Sequence, residues 1–273
     1  PPSAAEIERV LSAAGAVWPP RAALAAALYE RFVGEADLRS ALDQIAEDAS
    51  LTLRRKAVRL SALLSSGALD PSGSLALEIV ARLPQGGLLR ICGPEGCRDR
   101  VAAATALAGV KEVWAMSWSA DALGRRKRAG RGLVSPELTV ETSVPAEVSA
   151  VAYSRDPVDG SSRRLLLQCV LGEPDSLLAG EAAADEYALD RRSLKEIRPP
   201  LLADKRERLN LDSATGALRR AVVAPGLSRG RCLSNEQARR AARLARALDE
   251  AQGRGVELDA VVVLDVAAAN GEA

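Results

Sequence analysis

Along the first third of the chain, apolar positions recur at spacings of three and four, and that period predicts a run of helices. Residues 3–15 place Ile7, Val10, Leu11 and Ala14 on one face before Gly15, with Ser3 as N-cap and Glu6 three residues on. After a turn through Trp18, Pro19 and Pro20, a second helix carries Leu24, Leu28, Phe32 and Val33 on one side. Residues 36–48, 51–66 and 74–83 continue the pattern, with Gly67 and the run Asp70-Pro71-Ser72-Gly73 as breakers. Gly86 and Gly87 then introduce Leu88-Leu89-Arg90-Ile91-Cys92, a short apolar run that reads as a buried strand. Residues 98–107 and 111–128 read as two further helices. The second carries Val113, Trp114, Trp118 and Leu123 and ends in Arg125, Arg126, Lys127 and Arg128.

From about residue 137 the period falls to two. Strands are predicted over 138–144, 148–154, 164–170 and 186–190, joined by turns such as Asp156-Pro157-Val158-Asp159-Gly160. Such short connections favour an antiparallel meander. Residues 208–224 fit a hairpin turning between Asp212 and Gly216. Residues 234–252 form a helix capped by Ser234, with Leu244 and Leu248 set among alanines and arginines. Residues 259–266 are a β-branched strand, 267–273 a frayed end, and no repeat of fixed period is present. The expected class is α+β in two lobes, a helix-rich lobe over 1–135 and an antiparallel lobe over 136–273. A ligand in such proteins often lies in the cleft.

Composition narrows the picture. With 273 residues, 48% of them hydrophobic and 27% charged, the chain can bury a substantial core. No apolar run is long enough to span a bilayer, so membrane insertion is not expected. Thirty-seven basic against 36 acidic residues leave a net charge of +1, so no global field directs the chain to nucleic acid. There is no histidine, hence no imidazole base, ligand or phosphocarrier. Cys92, Cys97, Cys169 and Cys232 are scattered, and the one close pair has a spacing that suits neither a redox CxxC nor a common zinc half-site. Neither zinc nor haem is expected, and the thiols read as free in a reducing, intracellular compartment. Residue 1 is proline, which fits a processed terminus or a fragment. The cytoplasm stays open, as does a mitochondrion or plastid reached by a cleaved transit peptide.

The strongest signal is a series of motifs between Val113 and Ile197. They are Val113-Trp114-Ala115, Val144-Pro145-Ala146-Glu147, Ser149-Ala150-Val151-Ala152-Tyr153-Ser154-Arg155-Asp156-Pro157 with Gly160, Leu171-Gly172-Glu173, and Asp185-Glu186-Tyr187. In this order they resemble the ATP-grasp domain of the phosphoenolpyruvate synthase and pyruvate phosphate dikinase family. Weaker matches precede them: Leu11 to Gly15, Val17 with Pro19-Pro20, Tyr29-Glu30-Arg31-Phe32, and Leu89-Arg90-Ile91-Cys92 in place of a V-R-S-S-like strand. The resemblance implies an ATP-grasp-like fold with ATP and Mg²⁺ as ligands.

Phosphoryl transfer rests on positioning and charge neutralisation, so each lost cation or metal ligand is costly. By resemblance Arg90 is the phosphate-binding arginine, although its serine neighbours have become Ile91 and Cys92. Snorkelling from a strand end is the other reading of Arg90. Glu141 and the Ser143–Val144 backbone fall on the adenine side, with Val144 offering main-chain groups to the purine edge. By resemblance Glu173 matches the glutamate of the family's G-L-G-E motif, with Val170 in place of its first glycine. Glu257 and Asp259 would be the Mg²⁺ pair, although alternate strand residues also suit solvent. The family's phosphate-contacting lysine would fall just before Glu6, where this chain has Pro1-Pro2-Ser3-Ala4-Ala5. The segment closing over the phosphates is short between Arg90 and Trp114, and Ala267-Ala268-Ala269-Asn270 stands in place of an L-Q-x-R-P-like end.

Other candidates have plainer explanations. Arg155-Asp156 suits a salt-bridged turn, Trp114 and Trp118 suit core packing, and Arg125, Arg126, Lys127 and Arg128, with Arg131, suit a helix C-terminus more than nucleic-acid contact. The functional expectation is a degenerate ATP-grasp domain, non-catalytic and kept as a structural or regulatory subunit with protein partners in a larger assembly. The alternative is the ATP-binding component of a split dikinase, a phosphotransferase that passes a phosphoryl group from ATP to a histidine on a separate protein.

Overall fold

The structure is a computed structural model that describes residues 4–129, 135–157, 159–252 and 259–264. Ser3, Arg131, Val158, Glu257 and residues 267–273, which figured in the sequence reading, lie outside the described residues. The α+β class expected from the sequence holds, with helices accompanying antiparallel sheets. Two compact units are present. One consists of Pro19–Ser143 and Ser213–Gly216, and the other of Pro1–Trp18, Val144–Asp212 and Ala217–Ala273.

The chain begins with α1 (Ala4–Ala13), followed by β1 (Arg21–Leu24), α2 (Ala26–Glu35), α3 (Arg39–Glu47), α4 (Leu53–Ser66) and α5 (Ser74–Arg82). A hairpin of β2 (Leu89–Gly93) and β3 (Gly96–Val101) precedes α6 (Ala106–Met116), α7 (Ala120–Arg128) and β4 (Leu138–Thr142). Next come β5 (Val148–Tyr153), β6 (Arg164–Leu171), α8 (Asp175–Leu178), β7 (Asp185–Asp190), β8 (Glu207–Leu211) and β9 (Leu218–Val222). The described chain closes with α9 (Pro225–Ser228), α10 (Asn235–Gln252) and β10 (Asp259–Leu264).

In the unit that begins at Pro19, a four-stranded antiparallel sheet runs β1-β4-β2-β3. Its helices place their apolar stripes in one core built around Trp114. Trp114 is fully buried, edge-on to Tyr29 at 5.6 Å and stacked on Phe32 at 5.3 Å. Trp118 is also buried and donates its indole N–H to Tyr29 Oη at 3.1 Å, and burial pushes the Tyr29 phenol up to about 12. Both tryptophans are core residues, as their helical spacing suggested. The start of α4 is set by Thr52, whose hydroxyl accepts from Arg55 N–H at 3.3 Å, and Gly67 ends it.

The other unit carries a second antiparallel sheet in the order β10-β5-β6-β7. Helix α10 begins with a capping box: Ser234 N–H donates to Gln237 Oε1 at 2.8 Å, and Gln237 N–H donates to Ser234 Oγ at 3.3 Å. Its Ala238, Ala241, Ala242 and Ala245 are buried against Ala150, Ala152, Leu167 and Tyr187 of the sheet. Small residues on both faces let the helix sit close, and its arginines remain outside. The meander β5-β6-β7 and the β8–β9 hairpin agree with the sequence reading.

One buried ion pair knots this unit together. Asp185, fully buried at the start of β7, accepts from Lys205 Nζ at 2.5 Å, Ala203 N–H at 2.9 Å and Cys232 N–H at 2.8 Å. Lys205 also donates to the carbonyls of Ala203 at 3.2 Å and Gly230 at 2.9 Å. Its other neighbours include Cys169 and Cys232, whose thiols are pushed up first by burial, and then by Cys232 ahead of Asp185 for Cys169 and by the Asp185 carboxylate for Cys232.

Several expectations are corrected. Leu24 belongs to β1, a strand of four residues that is too short to show a period of its own beside a helix. Residues 98–107 do not form a helix. Gly96–Val101 is an edge strand whose outward Arg98, Asp99 and Arg100 are free of the apolar alternation by which a strand is recognised. Strand β4 does not extend the meander but lies between β1 and β2, because alternation predicts a strand without naming its partner. Cys92 and Cys97 are not free thiols: facing each other across the β2–β3 hairpin, they form a disulfide, whereas Cys169 and Cys232 are free and buried.

Lys205→Met removes one partner from a buried, fully hydrogen-bonded pair, and equilibrium unfolding is expected to show a loss of about 3–5 kcal/mol. A loss below about 1 kcal/mol would mean that the knot is dispensable.

Candidate functional site

Strand alternation places the first pair of candidate residues. On β2, Leu89 and Ile91 point into the core and Arg90 points out. On β4, Leu138 and Val140 are buried while Thr139 and Glu141 face the opposite way. The register makes Arg90 and Glu141 direct neighbours across β2 and β4, and Arg21 of β1 is the partner of Glu141 on its other side. One face of the sheet therefore carries the row Arg21, Glu141, Arg90. Arg90 Nη1 is 3.8 Å from Glu141 Oε1, with the arginine side chain 47% exposed and the glutamate 20%. At that separation the pair is a loose ion pair, not a hydrogen bond, so the guanidinium retains its donors. Arg21 was not singled out from the sequence because β1 was read as the front of a helix.

The hairpin beside this row is tied down. Glu95 at its tip pairs with Arg125 of α7, and Ser143 Oγ donates to Asp99 Oδ1 at 3.1 Å. Of the basic cluster on α7, Arg125 is thus engaged. Arg126 lies over the Trp118 ring at 5.1 Å and donates to the carbonyls of Ser117 and Ala122, and burial lowers its pKa. Lys127 and Arg128 are exposed.

Glu173 and Val144 lie in the other unit. Glu173 is a buried carboxylate, 5% exposed, and its Oε1 accepts from the Ala146 N–H at 2.7 Å. Its own N–H donates to Leu209 O at 2.8 Å, and the preceding Gly172 N–H donates to Glu147 O at 2.7 Å. Gly172 has a φ of +81° and approaches Leu209 so closely that a Cβ would stand 2.1 Å from its carbonyl oxygen. Only glycine fits there, and this explains the glycine preceding the glutamate. The consequence is that 146–147 is pinned by 172–173. Val144 is half-buried, and neither its N–H nor its C=O has a backbone partner among the described residues. Free peptide groups of this kind are what the edge of a purine requires.

The remaining sequence candidates are placed as follows. Arg155 does not pair with Asp156. The buried Asp156 carboxylate pairs with Arg164, which also reaches Asp159 at 2.7 Å, so the turn after β5 is closed by a different arginine. Asp259 opens β10 opposite Tyr153, and Glu257 lies outside the described residues. Among the described residues no group of three or more His, Cys, Asp or Glu could hold a metal ion.

Comparison with known proteins gives two findings. A family model, "Pyruvate phosphate dikinase, AMP/ATP-binding domain", matches residues 98–259. The "Uncharacterized phosphotransferase YvkC" of Bacillus subtilis (strain 168) is 24% identical over 155 residues, which cover 56% of this chain. The chain spans only 18% of the length of that relative. Glu141, Val144, Glu173 and Asp259 fall inside the matched span, whereas Arg21 and Arg90 precede it.

Glu173→Ala is expected to cost about 1–3 kcal/mol by leaving the Ala146 N–H buried without a partner, and to speed hydrogen exchange at that amide. Glu141→Gln, on a loose and partly exposed pair, is expected to change stability by less than about 1 kcal/mol. Equal effects of the two substitutions in denaturant titrations would contradict this ranking.

Proposed function

This chain belongs to the pyruvate phosphate dikinase AMP/ATP-binding domain family, a nucleotide-binding domain of the phosphoenolpyruvate synthase and pyruvate phosphate dikinase type, and we propose that it holds ATP without turning it over. On this reading it is a non-catalytic structural or regulatory subunit of a larger assembly. The observation that carries the reading is the setting of Arg90. It stands on a strand whose next two residues are a core isoleucine and a disulfide-bonded cysteine, and it faces Glu141 across the sheet at 3.8 Å. Transfer of a phosphoryl group calls for several converging cations and hydroxyl or carboxylate oxygens around the phosphates and metal. A guanidinium whose face of the sheet carries Glu141 and Arg21 beside it supplies binding more readily than rate.

Binding itself has support on the purine side. Val144 offers unengaged peptide groups, and the Glu173 contact to Ala146 fixes the adjacent backbone. Glu173 acts here as a positioning residue. Magnesium, where it accompanies ATP, would fall to Glu257 and Asp259.

A second reading is favoured by one finding, that the Bacillus subtilis relative is named a phosphotransferase. In that reading the chain is the ATP-binding component of a split dikinase, and the phosphoryl group passes from ATP to a histidine on a separate protein. The chain itself has no histidine to receive it.

Calorimetric titration of ATP into the purified chain tests the proposal. Saturable binding is expected, weakened about tenfold or more by Arg90→Ala, which removes a charged donor to phosphate. No detectable heat together with no thermal shift would overturn it.

A further inference from the structure

At the end of the second sheet away from Val144 and Glu173, the structure contains an arginine-lined cavity that no step above uses. Strand β5 separates the two places, and its six residues extend about 20 Å. Arg155 just after β5, Ser162 just before β6, Arg191 and Arg192 just after β7, and Arg246 on α10 line a cavity of about 500 Å³. All of them belong to one unit. Asp249 and Glu250, also on α10, complete the wall.

The positions are fixed by bonds that leave much of the positive charge uncommitted. Arg191 is paired with the buried Asp249 and donates to Ser154 O at 3.0 Å. Arg246 Nη1 donates to the carbonyls of Arg191 at 3.1 Å and Arg192 at 3.2 Å, which holds one edge of the guanidinium without neutralising its charge. Among the described residues no carboxylate is within ion-pair distance of Arg155, Arg192 or Arg246, and Asp190 acts on Arg192 only from farther off. Four arginines and two carboxylates line one concave surface, an excess of positive charge that an anion would relieve, and the committed carboxylate, Asp249, pairs with Arg191. The C-terminal half of α10 adds only about half a negative charge, which does not cancel the excess.

We propose that this cavity is a second ligand site, taking a hydroxylated phosphomonoester of sugar-phosphate size. The planar forks of Arg155 and Arg192 suit two phosphate oxygens each, with Arg246 as a third donor. Ser162 adds a hydroxyl, and the exposed Glu250 at the wall accepts from ligand hydroxyls. The volume exceeds what a lone phosphate fills and lies in the range of small-metabolite sites. The site is independent of the nucleotide reading, because none of its residues is among Arg90, Glu141, Val144 and Glu173.

The test is calorimetric titration of ribose 5-phosphate into the full chain, with ribose and inorganic phosphate as comparison probes. The expected result is saturable binding of ribose 5-phosphate, none of ribose, and an affinity at least about tenfold above that of inorganic phosphate. Arg155→Ala with Arg192→Ala is expected to weaken ribose 5-phosphate about thirtyfold or more, while ATP binding stays unchanged. Arg192→Glu, on an exposed side chain, gives the same readout if the double variant does not fold. No binding of ribose 5-phosphate, affinity equal to that for inorganic phosphate, or unchanged affinity in both variants would overturn the assignment.

Discussion

The unit that holds Glu173, α10 and the arginine cavity depends on a carboxylate buried out of reach of water. Asp185 opens β7, and its two oxygens gather Lys205, the Ala203 amide and the Cys232 amide, while Lys205 completes its own set with two carbonyls. Segments widely spaced in sequence are thereby fixed to the edge of one sheet. A bare ion in that position would be far too costly, but with every donor and acceptor matched the cost is offset. Helix α10 begins just beyond Cys232, so its entry to the sheet is set by the same knot. The alanine face of the helix then decides how closely it lies on β5 and β6.

How much of this could be read in advance follows from what each segment advertises. The strands β5, β6 and β7, the β8–β9 hairpin and α10 were legible because their period, turn residues and Ser234 cap all agree. β1 was not, since four residues carry no period, and β3 was not, since an exposed edge strand of Arg98, Asp99 and Arg100 shows no apolar alternation. The pairing of β4 with β1 and β2 is a matter of topology that no local pattern reports. The disulfide between Cys92 and Cys97 follows from their meeting across the hairpin, which the predicted helix over 98–107 had hidden.

The candidate site was legible in parts. Motif order pointed to Glu141, Val144 and Glu173, and the structure gives each a local setting: an ion pair for Glu141, unengaged peptide groups for Val144 and a buried hydrogen bond to Ala146 for Glu173. Arg21 emerged only from the register, as the second arginine beside Glu141. The cavity lined by Arg155 and Arg192 was invisible because its members come from two separate turns and one helix, each unremarkable alone.

The central claim is that a domain of this family here holds nucleotide without using it. Its most direct test is chromatographic quantitation of AMP after incubation of the chain with ATP and Mg²⁺, with and without a histidine-bearing carrier domain of a phosphoenolpyruvate synthase. The account predicts no AMP above that formed by ATP alone in either case. AMP formed in amounts matching or exceeding the protein, and lost in Arg90→Ala, would contradict it and establish a working phosphotransferase.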